Sequence, residues 1–235
     1  MITTIGFDAD DTLWQNEAFF RLTQEHFTDL LRDYSDPHQL HERLLAAERR
    51  NIGVYGYGVK GFTLSMIETA IEVTEGRVPA SVISELLGAG RAMLDHPVEL
   101  IPHARETVEA LSGQFRLILI TKGDLLHQER KLAQSGLGDS FDAVEIVSEK
   151  TPEVYRRIFD QHGQGAGAAL MTGNSMRSDV VAALDAGAWG VHVPNGPAWE
   201  LDSADEPVEN PRYRHLPDLS HLPALVMQLT GTPRQ

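Results

Sequence analysis

The sequence predicts an α/β protein, a Rossmann-like parallel sheet with helices on both faces, into which an α-helical bundle is inserted. Three observations predict this class. A short apolar run at the start of the chain ends at the acidic residue Asp8. Residues from about 15 to about 95 show helical apolar spacing and no strand signal. Beyond Pro97, compact apolar runs alternate with helical spacing, which is typical of a parallel sheet covered by helices.

Four helical patterns make up the inserted segment. Asp36 and Pro37 start the second of them as an N-cap and a first-turn proline, and the fourth begins near Pro79. Because the first strand precedes this segment and the other strands follow it, the segment interrupts one domain. We expect a core domain at residues 1–14 and 98–235 and a helical cap at residues 15–97. A module tethered at both ends beside an acidic strand end is placed to act as a lid.

The second part of the chain carries the remaining strands and helices of the core. Helices are expected from about 124 to 135, from the N-cap Thr151 onward, from 178 to 185 with Gly187 as its end, and from 222 to 229 in the proline-rich acidic tail. We expect four strands in this part of the chain, one before the first of these helices and three between them, at 115–120, 141–147, 168–171 and 189–193.

Composition and charge narrow the class of partner. The formal net charge of −14 argues against a nucleic-acid polymer and against an anionic membrane surface. No apolar run approaches the length of a membrane span, and the first residues lack a basic signal-peptide region. The chain has no cysteine, which fits a reducing compartment, and we expect a cytoplasmic protein. The oligomeric state stays open, a homodimer formed through the cap included.

Polar residues follow the predicted strands at their carboxyl ends, where open α/β sheets place their ligands. The first strand ends in the pattern Asp8-x-Asp10-x-Thr12, and later strands end at Thr121, Lys150, and Asn174 with Asp179. Each residue alone has an ordinary explanation, such as a cap or a solvated charge, and we interpret Asp11 as a turn or cap residue. The ten histidines show no metal-ligand spacing along the chain.

In order and in strand-end context, these residues resemble the four motifs of the haloacid dehalogenase-like (HAD) hydrolases. The resemblance covers roughly residues 1–14 and 98–195 and implies a HAD-like core. It implies that Asp8 is a nucleophile that forms an aspartyl-phosphate, and that Asp10 is the general acid and base. It further implies that Thr121 hydrogen-bonds a phosphoryl oxygen and that Lys150 neutralises charge.

The resemblance also implies a Mg²⁺ cofactor. The ligands would be the Asp8 carboxylate, the Asp10 backbone carbonyl and the fourth motif, with waters completing the shell. The family usually has Asp directly after the glycine of that motif, whereas this chain has Asn174. An amide oxygen can still ligate but removes one negative charge. We therefore expect Asp179 to carry more of the metal binding, directly or through a water.

Asp10 discriminates among the reactions found in this family. Dehalogenases lack a carboxylate two residues after the nucleophile, since a halide leaving group needs no proton, and phosphonatases likewise lack it. The resemblance therefore implies a phosphatase that acts on a small phosphate monoester, a nucleotide or a sugar phosphate among others. A phosphomutase and a non-catalytic phospholigand-binding or partner-binding member remain as alternatives, the second suggested only by Asn174.

Substrate specificity is the least defined feature of the sequence. The segment 53–62, which we expect to join two cap helices, offers Tyr55, Tyr57 and Lys60 for stacking and charge, although a plain connection explains it equally well. Lys122 and Arg177 lie inside the motifs and are either phosphate contacts or solvated charges.

Overall fold

The structure is a computed structural model in which residues 1–196 and 199–231 are described. The chain divides into two compact units. The α/β unit contains Met1–Gln15, Val98–Lys122 and the chain from Gln128 onward, and the helical unit contains Asn16–Pro97 together with Gly123–His127. The expected core domain included residues 123–127, and its residues 197–198 and 232–235 lie outside the described residues.

Four helices form the bulk of the helical unit: α1 (Glu17–Leu31), α2 (Pro37–Tyr55), α3 (Val59–Val73) and α4 (Ala80–Asp95). The predicted helix start in front of α2 is confirmed, because the Asp36 side chain accepts a hydrogen bond from the His38 backbone N–H at 2.9 Å. Buried residues of all four helices share one apolar cluster, which includes Phe27, Leu44 and Met66. The cluster explains why the apolar stripes of the sequence lie at helical spacing.

The connection between α2 and α3 is shorter than the predicted segment 53–62. The helices run to Tyr55 and from Val59, so only three residues join them. Gly56 and Gly58 take positive φ angles of 75° and 104°, which allow the chain to reverse within this space. Lys60, at the start of α3, forms an ion pair with Asp124 at 2.8 Å, which explains why residues 123–127 group with the helices.

The α/β unit is built on a six-stranded sheet. Its strands are β1 (Thr4–Phe7), β2 (Arg116–Lys122), β3 (Ala143–Val147), β4 (Ala169–Gly173), β5 (Trp189–His192) and β6 (Tyr213–His215). All neighbours are parallel and the order is β3-β2-β1-β4-β5-β6, so the predicted fold class is confirmed. The sixth strand was not predicted, because three residues between proline-rich stretches carry no periodicity.

The helices of this unit are α5 (Ala104–Leu111), α6 (Leu125–Ser135), α7 (Pro152–His162), α8 (Ala182–Ala186) and α9 (Leu222–Thr230). A π-helical turn, Met176–Val181, precedes α8, where a continuous helix was expected. Alternate residues of β2 enter two different apolar clusters, Leu117 and Leu119 on one side and Ile118 and Ile120 on the other. The sheet is therefore covered on both faces, as the continuous apolar strands predict.

The strand order fixes where a ligand site can lie. The chain continues from β1 to β2 on one side and from β4 to β5 on the other side. The gap between β1 and β4 is therefore the topological switch point of the sheet. Phe7, the last residue of β1, pairs with Leu119 of β2 and with Thr172 of β4. The residues that directly follow β1 and β4 therefore lie side by side at this edge. Among the described residues, no helix has the length and apolar character needed to cross a membrane.

Candidate active site at the carboxyl ends of β1, β2 and β4

The turn after β1 holds Asp8 against β4. Asp11 has a φ of 58°, a left-handed conformation that Asp tolerates and that reverses the chain here. Thr12 then points back, and its hydroxyl donates a hydrogen bond to Asp8 Oδ2 at 3.0 Å. The same hydroxyl accepts the Asn174 backbone N–H at 3.0 Å. Thr12 thereby ties the first motif to the fourth.

Lys150 joins two carboxylates in the buried centre of the site. Its ammonium lies 2.5 Å from Asp8 Oδ1 and 2.6 Å from Asp179 Oδ1. All three side chains are at most 8% exposed, so water screens these charges very little. Lys150 precedes α7, whose N-cap Thr151 accepts the Val154 backbone N–H at 3.3 Å, so the helix start fixes the position of the lysine.

The charges in this centre do not balance. Burial raises the pKa of Asp8 to about 7, the charge of Asp179 adds to that increase, and Lys150 opposes it. Burial alone would lower the pKa of Lys150, but the charges of Asp179 and Asp8 outweigh it and raise that pKa. Lys150 is therefore cationic, and Asp8 is poised to hold or release a proton near neutrality.

Asp179 is fitted against the backbone of β4. A Cβ placed on Gly173 would lie 2.2 Å from Asp179 Oδ2, so only glycine allows this approach. The same oxygen accepts the Ser175 backbone N–H at 2.9 Å. Asp179 lies within the π-helical turn, and its carboxylate reaches back to the residues that precede the turn.

Asp10 lies in different surroundings, which the sequence did not predict. Its Oδ1 accepts hydrogen bonds from Lys131 Nζ at 2.6 Å and from Trp14 Nε1 at 2.7 Å. Its Oδ2 accepts from Gln128 Nε2 at 3.2 Å. Gln128 also donates to the Thr121 hydroxyl at 2.7 Å, so it connects Asp10 to the end of β2.

The sequence feature that points to these partners is the amphipathic pattern of α6, in which polar residues are buried and leucines are exposed. The buried residues of this helix are Gln128, Lys131 and Ser135, at positions i, i+3 and i+7, whereas Leu125 and Leu126 are exposed. A helix that buries its polar stripe needs polar partners for it. The stripe was readable in the sequence, but its partner Asp10 follows only from the packing of α6 beside β1.

These partners stabilise the charged form of Asp10. Burial alone would raise the pKa of Asp10, but the Lys131 charge and the hydrogen bonds from Lys131, Trp14 and Gln128 outweigh burial and lower it. We expected Asp10 to be the general acid and Asp8 to stay ionised on the metal, and both roles stay predictions. Asp10 holds its charge in this arrangement because Lys131 supplies a counter-charge from α6, which the sequence analysis did not include.

Lys122 and Arg177 are engaged with neighbouring residues of the unit. The Lys122 ammonium donates to Ser178 Oγ at 2.7 Å and pairs with Asp202 at 3.1 Å. The Ser178 hydroxyl also donates to Asp202. Arg177 donates to the Leu201 carbonyl at 3.2 Å. Lys122 is therefore a partly buried cation paired with Asp202 rather than a solvated charge, and its predicted contact with substrate stays a prediction.

The other predicted specificity residues lie in the helical unit. The Tyr55 hydroxyl donates to Glu68 Oε1 at 2.7 Å, and Lys60 is paired with Asp124. Tyr57 lies in the short connection between α2 and α3. These contacts are internal to the helical unit, and a role of the three residues in substrate binding stays a prediction.

A magnesium ion fits the donor chemistry beside Asp8. Asp8, Asn174 and Asp179 offer only oxygen atoms, the ligands that Mg²⁺ prefers. Asp8 Oδ2 and Asn174 Oδ1 lie 3.0 and 3.4 Å from the same Thr12 hydroxyl. Two buried carboxylates share one lysine, which leaves a negative charge that a divalent cation would offset. Both oxygens of Asp8 and both oxygens of Asp179 already accept hydrogen bonds, so the choice between Asn174 and Asp179 as the direct ligand stays a prediction.

Comparison with known proteins agrees with this arrangement. A family model described as haloacid dehalogenase-like hydrolase matches residues 2–187. The pyrimidine 5'-nucleotidase YjjG of Escherichia coli K12 is 26% identical over 195 residues, covering 78% of this chain and 82% of that protein. The N-acylneuraminate-9-phosphatase of Mus musculus is 24% identical over 202 residues, covering 79% of each.

Solved structures extend the comparison. A haloacid dehalogenase-like family hydrolase from Xanthomonas campestris superposes with a TM-score of 0.87 at 45% identity, over 98% of this chain and 92% of that chain. YfnB from Bacillus subtilis, bound to magnesium, has a TM-score of 0.64 at 18% identity, over 96% of this chain and 98% of that chain. The L-2-haloacid dehalogenase from Xanthobacter autotrophicus has a TM-score of 0.62 at 18% identity, over 96% of this chain and 98% of that chain. The last two share the fold.

Proposed function

Since the chain belongs to the haloacid dehalogenase-like hydrolases, we propose that it is a Mg²⁺-dependent phosphatase that cleaves a small phosphate monoester through an aspartyl-phosphate on Asp8. The observation that carries this proposal is the Asp10 carboxylate, placed two residues after Asp8 and held by Lys131, Gln128 and Trp14. An alkoxide leaving group needs a proton, and a halide does not. A carboxylate fixed by three donors at this position fits ester cleavage.

The residues divide the work of phosphoryl transfer. Asp8 attacks phosphorus with one carboxylate oxygen, while the buried Lys150 offsets the charge that accumulates beside it. The Thr121 hydroxyl, positioned by Gln128 at 2.7 Å, can donate to a phosphoryl oxygen. Mg²⁺, held by Asp8, the Asp10 carbonyl, Asn174 and Asp179, would neutralise charge on the phosphoryl group.

Asp10 would gain its proton when substrate binds. A phosphate ester brings negative charge beside Asp10, and a nearby like charge raises the pKa of a carboxyl group. The protonated Asp10 then donates to the leaving oxygen. This donation leaves Asp10 as a carboxylate, and Lys131, which lowers the pKa of Asp10, stabilises that form. That form is the base that takes a proton from the attacking water in the second step.

The curated relatives support the phosphatase proposal. One is named for a pyrimidine nucleotide and the other for a phosphorylated sugar acid, so both names describe small phosphate monoesters. We infer the same substrate class here, a small phosphorylated metabolite. The absence of cysteine fits a reducing compartment, and we propose the cytoplasm.

A comparison of leaving groups tests the proposal. In Asp10→Asn, kcat/KM for an alkyl phosphate such as glycerol phosphate should fall by about 10²–10⁴-fold, the range of general acid catalysis. For p-nitrophenyl phosphate, whose leaving group needs no proton, the loss should be about tenfold or less. The ratio kcat/KM is used because it reports the steps up to departure of the alcohol.

Two results would contradict the proposal. Equal losses of kcat/KM on both esters in Asp10→Asn would show that Asp10 is not the general acid. Chloride release from 2-chloropropionate without any phosphate release would make the protein a dehalogenase. Turnover of phosphate esters should also vanish when Mg²⁺ is removed with a chelator and return when it is restored, whereas an absence of metal-dependent turnover would favour a non-catalytic binding protein.

A further inference from the structure

A second cluster of ligating side chains lies at the far edge of the sheet. His192 is the last residue of β5 and His215 the last residue of β6, and the two are paired in register. Glu206 comes from the segment between these strands. One nitrogen or oxygen of each side chain lies within 4.8 Å of the others. We propose that His192, His215 and Glu206 bind a zinc ion, at a site separate from the magnesium site beside Asp8.

The spacing of the two imidazoles fits one tetrahedral ion. Their Nδ1 atoms are 3.3 Å apart. Two ligands at the zinc–nitrogen distance of about 2.0–2.1 Å, at a tetrahedral angle, are separated by about 3.3–3.4 Å. The nitrogens therefore already have the separation that zinc requires, and it comes from the register of two parallel strands.

The hydrogen bond of His192 leaves the correct nitrogen free for a metal. His192 Nε2 lies 3.1 Å from the Asn174 carbonyl oxygen, which can only accept, so Nε2 carries the proton. Nδ1 of the neutral ring then carries a lone pair directed at His215. Metal-binding histidines commonly donate their other N–H to a backbone carbonyl in this way. Because the carbonyl belongs to Asn174, the proposed zinc site is linked to the catalytic edge.

Glu206 supplies the anionic ligand. It is exposed, so its side chain can close the remaining gap of at most about 1.5 Å without repacking the core. Tyr213, two residues before His215, is only 8% exposed. Burial and then the charge of Glu206 raise the pKa of the Tyr213 hydroxyl to about 12.

The ligand set distinguishes zinc from magnesium. Two imidazoles and one carboxylate form a set that zinc accepts with a water in the fourth position, and imidazole is a poor ligand for Mg²⁺. The ten histidines gave no such signal in the sequence, because His192 and His215 are 23 positions apart and meet only through the β5–β6 pairing. The expected function is to fasten the edge strand and its preceding segment to β5.

The test uses the full chain, freed of metal and kept in excess Mg²⁺ so that the oxygen site is occupied. Cobalt(II), a zinc substitute, should give the visible absorption of a tetrahedral complex with one ion per chain, and zinc should abolish it. His215→Ala should weaken zinc binding by about 100-fold or more, since even the loss of an outer partner costs about 10–100-fold. Glu206→Gln should weaken it less.

The matched control is His221→Ala. His221 is also an exposed histidine beside a carboxylate, Asp218 at 3.2 Å, but within the part of the chain that the structure describes it belongs to no cluster of three ligating side chains. Zinc should raise the Tm of the wild-type protein and of the control variant but not that of His215→Ala. Octahedral cobalt absorption, or equal zinc affinity in wild type and His215→Ala, would overturn the proposal and leave an imidazole–imidazole hydrogen bond as the whole role of the pair.

Discussion

Asp8 and Asp10 lie two residues apart in one turn, yet their surroundings shift their pKa values in opposite directions. Asp8 shares one lysine with a second carboxylate, Asp179, and its pKa is raised to about 7. Asp10 accepts hydrogen bonds from Lys131 and from two further donors, and its pKa is lowered. The two pKa values shift in opposite directions because Asp8 is buried beside a second carboxylate, whereas Asp10 is held by three hydrogen-bond donors.

The comparison shows that the motif sets positions and that distant elements set charge. Lys150 reaches Asp8 from the segment before α7, and Lys131 reaches Asp10 from α6. Neither contact is implied by the spacing of the two aspartates. The roles of the two carboxylates can therefore be altered separately by changing residues far away in the sequence.

The largest expected effect is that of Asp8→Asn. It should lower kcat by about 10⁴-fold or more, because loss of a nucleophile removes the covalent route. The matched control is Asp11→Asn, since Asn also tolerates the left-handed conformation of residue 11. Steady-state hydrolysis of a phosphate ester measures both variants. An active Asp8→Asn protein would mean that the two aspartates do not differ as described.

The same variant tests the raised pKa of Asp8 through stability. Folded Asp8 keeps its proton up to about pH 7, while in the unfolded chain it ionises near its usual pKa of 3.8. The folded state thus binds more protons between these values, so the free energy of unfolding falls as pH rises through this window. In chelator, Asp8→Asn should be more stable than wild type at pH 8 by on the order of a few kcal/mol. A pH-independent difference in urea unfolding would refute the raised pKa.

Gly173→Ala should disturb the Asp8 centre without touching Asp10. The new Cβ would lie 2.2 Å from Asp179 Oδ2 and displace that carboxylate from Lys150. We expect a loss of about 1–3 kcal/mol in unfolding free energy and about 100-fold in activity. Gly167→Ala is the control, because its Cβ would meet no atom within 4 Å. Similar behaviour of the two variants would show that Asp179 is not fixed as described.

Lys131→Met should make Asp10 more like Asp8. Burial of Asp10 remains while its counter-charge is lost, so its pKa should rise, and the alkaline limb of kcat/KM should move up by about one pH unit. Activity should fall by about tenfold through loss of positioning. Lys131→Arg should restore the wild-type profile. An unchanged pH profile of kcat/KM in Lys131→Met would show that Asp10 is not the acid that the alkaline limb reports.

Trp14→Phe should give the smallest effect. It removes one of three donors on Asp10, the indole N–H at 2.7 Å, and leaves the aromatic packing in place. The alkaline limb should move in the same direction as in Lys131→Met but by less. Unfolding in urea should show a loss of about 1–3 kcal/mol, the usual cost of a hydrogen bond to a charged group. A larger pH shift than in Lys131→Met would contradict the ranking of the donors.

Much of the fold was predictable because parallel sheets have local signatures. The apolar runs of β2 and β4, the N-caps Asp36 and Thr151, and the polar strand ends are all properties of neighbouring residues. The short strand β6 was not predictable, because three residues carry no periodicity and its pairing with β5 is non-local.

The site was predictable to the extent that it follows β1, β2 and β4. Asp8 and the segment that carries Asp179 come together because β1 and β4 are neighbours in the sheet, whereas Lys150 reaches them from the segment between β3 and α7. The partners of Asp10 on α6 were missed, because which helix face meets a given turn depends on tertiary packing. The π-helical turn at Met176–Val181 was missed for the same reason, since it is fitted around Asp179 and Gly173.

The central claim is that Asp8 is the residue that receives the phosphoryl group. Wild-type protein mixed with Mg²⁺ and a phosphate ester, and quenched in acid during turnover, should contain one phosphoryl group on the peptide that carries Asp8, as mass spectrometry would show. Asp8→Asn should contain none, and Asp11→Asn should match wild type. Phosphate release at a normal rate with no phosphorylated Asp8, or a phosphoryl group on another residue, would contradict the account.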